Sequence, residues 1–219
     1  MNKAGVPSIG CIVEGEGDEL ALPLLIRRVT AELDPALYVD VFVGKRAPRS
    51  GLVNPGGIEA AVEQTARAGG AMAGLLILLD ADDDCPADLG PTLLRRARSV
   101  RSDRAMGLVL AKREYEAWFL ASAESLAGKR GLPPDLRPPV DSEGIRGAKE
   151  WLSARLPRGR RYRETVDQPA FTTIFDMQQA RSADSFDKCY REIARLVATV
   201  CMPSYSVAAP HLTEVDEVE

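Results

Sequence analysis

The sequence predicts an α/β protein: an open, mostly parallel sheet of about four strands with helices on both faces, followed by a helical C-terminal extension. Two observations carry this. Short apolar runs rich in β-branched residues alternate with segments of helical spacing through the first half. Several of those runs, LLILL above all, are apolar on both faces, as central strands of a covered parallel sheet require.

The elements follow in order. SIGCIVE (8–14) is the first strand, and Leu20, Leu24, Leu25, Ile26 and Val29 form a helical stripe between Asp18 and Leu33. Pro23 lies within that stripe and is tolerable as a residue of about the first turn. YVDVFVG (38–44) is the second strand, and KRAPRSGLVNPGG (45–57), rich in Pro, Gly and Arg, is expected to be a long exposed loop. Ile58, Ala61, Val62 and Ala66 mark a helix, AGLLILLD (73–80) the third strand, Leu89, Leu93, Leu94 and Ala97 another helix, and AMGLVLA (105–111) the fourth strand. EYEAWFLASAESLAG reads as one helix ended by Gly128, after which LPPDLRPP breaks the chain. A basic stretch, RLPRGRRYR, precedes two helices near 169–181 and 184–200. The expected organisation is an α/β domain over 1–127, a peripheral helical extension packed on it over 128–202, and a disordered acidic tail over 203–219.

Composition narrows the function classes. Of 219 residues 45% are hydrophobic and 27% charged, an ordinary globular balance, and the net charge of −4 means that nucleic acid would have to bind a local basic patch or bridging cations. The cysteines Cys11, Cys85, Cys189 and Cys201 include no CxxC pair and the single histidine is His211, so zinc-site spacing is missing. No apolar run approaches the roughly 18 residues of a membrane span, and no signal-peptide pattern opens the chain. A reduced, cytoplasmic setting without a membrane is expected.

The acids carry the chemistry. In an open parallel sheet, ligands bind beyond the carboxyl ends of the strands. Glu14 ends the first strand, Asp80, Asp82, Asp83 and Asp84 end the third, and Glu114 and Glu116 follow the fourth. These three groups should meet on one rim. Two carboxylates about 4 Å apart repel by roughly 4 kcal/mol at a near-surface dielectric, so a cluster needs a cation or raised pKa values. A hard divalent ion with oxygen ligands, Mg2+ or Mn2+, meets that need and leaves positions for waters and a phosphate. Gly15 and Gly17 would let the backbone turn tightly beside it. A dinucleotide fingerprint would want a third glycine where Leu20 stands.

In order and spacing, VEGEGDE, LLDADDD and EYEAWFLA resemble the Toprim domain of bacterial primases, topoisomerases and OLD-type nucleases, and most closely a small Toprim-like family encoded beside ABC or AAA ATPases. The resemblance covers about residues 8 to 125; FTTIFDMQQARSADSFDKCYREI is similar to that smaller family's C-terminal helices, with less specificity. It implies a Toprim/Rossmann-like sheet and a nuclease cleaving phosphodiesters with Mg2+ or Mn2+, acting with an ATPase partner in phage defence or DNA processing. It further implies Glu14 as a general acid/base or metal ligand, Asp80 and Asp82 as metal ligands, and Asp84 and Glu116 as supporting or second-metal ligands.

Other readings stay open at this point. Asp83 and Asp84 suit capping of a helix near Pro86, and Glu114 and Glu116 suit the first turn of a helix. Lys112 could stabilise a developing phosphorane charge or merely balance the acids. Gly15, Gly17, Lys45 and Arg46 are candidates for substrate contact, and Lys45, Arg46 and Arg49 with Arg158, Arg160, Arg161 and Arg163 could line a polyanion path or simply be solvated. The competing functions are a non-catalytic subunit of an ATPase and a receiver-like or phosphatase domain, the latter kept open by Lys112 but lacking the Thr that follows Asp-x-Asp in many phosphatases. A homodimer is compatible with any of them.

Overall fold

The computed structural model describes residues 6–70 and 73–201. The predicted tail over 203–219 and His211 lie outside them. Four parallel strands, β1 (Ser8–Val13), β2 (Asp40–Arg46), β3 (Gly74–Asp80) and β4 (Met106–Ala111), form one open sheet in the order β2-β1-β3-β4. Each run apolar on both faces is a strand, and β1 and β4 are buried along their whole length. Among the described residues no helix is long and apolar enough to cross a membrane.

The chain leaves β1 through α1 (Glu16–Leu33) toward β2 on one side, and leaves β3 through α4 (Pro86–Val100) toward β4 on the other. The crevice between β1 and β3 is therefore the topological switch point, where ligands of such sheets bind. Glu14 and Asp80 stand at its two carboxyl ends.

Two apolar layers hold the sheet. On one face Ile12, Leu75, Ile77 and Leu108 pack against Ile58, Val62, Leu93 and Ala97 of α3 (Gly57–Ala68) and α4. On the other, Ile9, Cys11, Leu76 and Val109 pack against α1 and α10 (Asp184–Cys201). The second half is thus not peripheral: Phe171, Phe175 and Phe186 are fully buried in the same core as β1 and α1. Phe119 meets Phe171 and Phe175 with ring centroids 5.5 Å apart in each pair.

Several local expectations are corrected. Pro23 sits in the eighth position of α1, well inside the helix rather than in its first turn. The stretch 45–57 is not an exposed loop: Lys45 and Arg46 complete β2, and α2 (Arg49–Val53) buries Leu52 to 1% exposure. The helix expected from Glu114 to Gly128 is two short ones, α5 (Ala117–Ala121) and α6 (Ala123–Leu126), broken at Ser122, whose hydroxyl turns back on the Trp118 carbonyl at 3.0 Å. The helix expected over 169–181 divides into α8 (Glu164–Thr172) and α9 (Met177–Ala180), while α10 matches its expected span. Between α6 and α8 lies α7 (Ala148–Ser153).

Candidate functional site: an acid cavity at the switch point

The rim rule brings the carboxylates together. Glu14, Gly15, Gly17, Asp18, Asp80 and Glu116 line a cavity of about 200 Å³, closed on the far side by Lys149, Glu164 and Gln168. Strand ends supply Glu14 and Asp80. Glu116 is placed by its neighbours: Tyr115 and Trp118 stack at 4.4 Å in the core, and the Trp118 indole N–H donates to Ser185 Oγ at the start of α10 at 2.8 Å.

Asp18, one turn into α1, is tied on both oxygens. The Gly15 backbone N–H donates to Oδ2 at 3.0 Å and the Gln168 side-chain amide to Oδ1 at 2.7 Å. Gly15 is extended, with φ −106°, so its role is not a left-handed turn. Gly17 has a different reason: a Cβ there would come within 1.8 Å of Gln168 Oε1. The glycine lets α8 approach α1 closely enough to deliver Gln168.

Burial dominates the electrostatics. The Glu116 carboxyl is 1% exposed, and burial pushes its pKa from the ordinary 4.5 up to about 8 against the opposing pull of Lys149. Neither Glu116 oxygen, nor Glu14 Oε2, has a hydrogen-bond partner among the described residues. The Tyr162 hydroxyl lies beside Glu116 without completing a hydrogen bond. Asp80 is half-buried and lines both cavities; burial, with Asp18 and Glu116 nearby, holds its carboxyl well above the usual range. Its Oδ1 accepts the Tyr115 backbone N–H at 2.9 Å. Burial also raises Glu14, opposed by the Asp80 backbone amide and reinforced by Asp82 and Asp18. Asp18 is raised by burial despite its two hydrogen bonds.

The protein supplies its own counter-ion. Lys149 Nζ lies 2.8 Å from Glu164, 3.5 Å from Glu114 and 3.9 Å from Glu116. Burial works against the ammonium, but Glu116, Glu164 and Asp80 outweigh it and hold its pKa above the ordinary lysine value. The preceding Gly147 has φ 74°, a left-handed conformation that starts α7 at this point, and Glu114 accepts the first helical N–H, that of Ala148. Among the described residues no three Asp, Glu, His or Cys side chains form a ready-made metal cage. Glu114, Glu116 and Glu164 lie around the Lys149 ammonium.

The remaining predicted residues divide. Asp82 lines an adjoining cavity of about 380 Å³ that it shares with Asp80, Glu114 and Lys149. It adopts φ 51°, and its backbone N–H donates to the Arg113 carbonyl, which stitches the β3 and β4 loops together at 3.0 Å. Asp84 pairs with Arg49, and Asp83 with Arg113 at 2.5 Å and Arg146 at 2.6 Å. Neither caps α4, whose N-cap is Cys85 with no side-chain cap bond. Lys112 lines a different cavity, with Glu143 and Asp184, and is not among the residues that line the acid cavity. Arg46 is committed to Glu19 at 2.7 Å and Glu16 at 3.5 Å, and Lys45, on the edge strand, is not among the acid-cavity residues.

Sequence reasoning missed Lys149, Glu164 and Gln168, and left Asp18 outside the proposed set. Asp18 had a signal, since it follows Glu14 by one helical turn. Lys149 and Gln168 had none, because they reach the site from more than 60 residues beyond β3 by tertiary packing alone. No protein-family model, curated protein or solved structure matches the chain.

Proposed function

We propose that the chain is a divalent-metal-dependent phosphodiester hydrolase of the Toprim type, a nuclease. The observation that carries this reading is the set of buried carboxylate oxygens without a hydrogen-bond partner, Glu14 Oε2 and both oxygens of Glu116, which line a cavity with Asp80 at the switch point. Buried acceptors are rarely left unsatisfied without a ligand or a functional reason. Oxygen donors suit Mg2+ or Mn2+, and Glu14, Asp80 and Glu116 would hold the ion, with Asp82 reaching from the adjoining cavity. Such an ion supplies Lewis-acid polarisation of a phosphoryl oxygen and a more acidic water.

The chain's own residues do the rest. Lys149 presents its ammonium where a phosphoryl oxygen would enter, and Asp18, clamped by Gly15 and Gln168, holds the first turn of α1 against the cavity. The receiver-like alternative loses its lysine, since Lys112 faces elsewhere. Action beside an ABC or AAA ATPase rests on the resemblance and is part of the same proposal.

The test compares wild type with Asp80→Asn on single- and double-stranded DNA and RNA in Mg2+ or Mn2+, with EDTA controls. Asparagine keeps an acceptor for the Tyr115 N–H. Cleavage that EDTA and Asp80→Asn each abolish, with the fold retained, is expected. Undiminished cleavage by Asp80→Asn, or absence of both cleavage and saturable Mn2+ binding in the wild type, overturns the proposal.

A further inference from the structure

The loop PRGRRYR, residues 157–163, is fixed by two inward side chains. Arg160 donates to buried Asp167 at 2.6 Å and to the Arg130 carbonyl. Tyr162, 8% exposed, packs its ring 6.0 Å from Phe171 and turns its hydroxyl toward Glu116. The alternate residues Arg158, Arg161 and Arg163 therefore point outward, and all three are exposed.

Their freedom is unusual in this chain. Arg28, Arg49, Arg96, Arg101 and Arg195, like most of the other arginines, are committed to carboxylates or carbonyls. Arg158, Arg161 and Arg163 have no side-chain hydrogen bond or ion pair among the described residues. They line a cleft of about 1310 Å³ whose charged walls hold Lys149, Arg158, Arg160, Arg161 and Arg163 against only Glu150 and Glu164. This excess of positive charge sits on a chain of net charge −4. Lys149 and Glu164, paired at 2.8 Å, line both this cleft and the acid cavity, so the two adjoin at that pair.

The two volumes set what can enter. The inner cavity, about 200 Å³, is roughly seven times the share of one water in the liquid, room for one phosphoryl group and its immediate ligands. Seating a phosphate in such a recess costs a duplex deformation energy that a flexible single strand avoids. The free guanidiniums are suited to phosphates and carry no base code.

We propose that Arg158, Arg161 and Arg163 are the landing surface for the sugar-phosphate backbone of a single-stranded nucleic acid, which they lead past Lys149 to the acid cavity. The second half of this statement rests on the hydrolase reading; the first does not. The test is fluorescence anisotropy in EDTA with a labelled mixed-sequence DNA 20-mer, the same RNA sequence and the corresponding duplex, across a salt series. Wild type is compared with Arg158→Ala/Arg161→Ala/Arg163→Ala, whose exposed positions spare the fold, as a melting curve verifies.

Wild type is expected to bind the strands more tightly than the duplex. The variant is expected to lose about 10- to 100-fold in affinity, with the slope of log K against log salt shallower by about 2, since each single-strand phosphate contact contributes about 0.7. DNA and RNA responding alike places recognition on the phosphates. Equal strand affinity and salt slope in the variant, a preference for duplex, or no strand binding by the wild type overturns the inference. Mn2+ titration of the same proteins judges the acid cavity separately: metal binding retained while strand binding is absent would leave the hydrolase reading standing and remove only this one.

Discussion

Replacing Glu116 by glutamine should change the sign of its effect on stability with pH. The folded chain keeps a proton on Glu116 up to about pH 8, whereas an unfolded glutamate releases it near 4.5. Between those values the native state binds more protons than the unfolded state, so rising pH destabilises the fold by about 1.4 kcal/mol per unit. The accumulated cost is about 3 kcal/mol at pH 7 and about 5 kcal/mol above pH 8. With only 1% of the residue exposed, solvent screening removes little of it. A glutamine at this position would not ionise, but its amide brings donors into a site with few acceptors, a penalty of about 1–3 kcal/mol that does not depend on pH. In metal-free buffer Glu116→Gln should therefore be the less stable protein at pH 5 and the more stable one at pH 8, the difference moving by about 4 kcal/mol. Urea unfolding at pH 5, 6, 7 and 8 in EDTA measures it. Parallel stability profiles for the two proteins would show that Glu116 carries no such proton and would refute the burial argument.

Two further substitutions probe the supports of the cavity. Lys149→Met removes the ammonium shared by Glu114, Glu116 and Glu164. Because its closest carboxylate, Glu164 at 2.8 Å, is 46% exposed, the loss in EDTA should be about 1 kcal/mol; thermal melts should show a larger stabilisation by Mn2+ than in wild type, and an unchanged melting temperature in EDTA would count against the counter-ion role. Gly17→Ala drives a methyl into Gln168 Oε1 and should cost about 1–3 kcal/mol while weakening Mn2+ binding through the freed Asp18. Adding Gln168→Ala should return part of the stability but not the metal affinity, and full stability in the single variant would contradict the packing described.

The sheet was legible because its signal is local. LLILL and AMGLVLA are apolar at every position since helices cover both faces, and strand ends follow from where those runs stop. The rim rule then placed Glu14 and Asp80 together without any tertiary information. What failed was decided by packing. The break at Ser122 is hidden in a sequence of good helix formers, and it arises where Tyr115, Trp118 and Phe119 turn into a core shared with α8 and α10. Pro and Gly in 45–57 mark irregular backbone correctly, yet Leu52 still finds a hydrophobic layer to enter. Nothing local in the sequence favours Lys149 over Lys112; a strand-end residue can face either side of the sheet, and Lys112 faces the cavity lined by Glu143 and Asp184.

The raised carboxyls and the lysine have one structural origin. Without α7 and α8, the strand ends would show Glu14, Asp18, Asp80 and Glu116 to water, where carboxylates ionise freely and bind cations weakly. Covering them with Lys149, Glu164 and Gln168 shrinks the space to about 200 Å³ and makes every unneutralised charge expensive. Burial, more than any neighbouring charge, then favours the protonated forms and raises the carboxyls of Glu14, Asp18, Asp80 and Glu116 alike. A divalent ion at the same distance and dielectric attracts each carboxylate twice as strongly as Lys149 does. The second half of the chain therefore does more than complete the core: by drying the rim it turns a solvated row of acids into a site whose occupancy by protons, lysine or metal is a matter of competition.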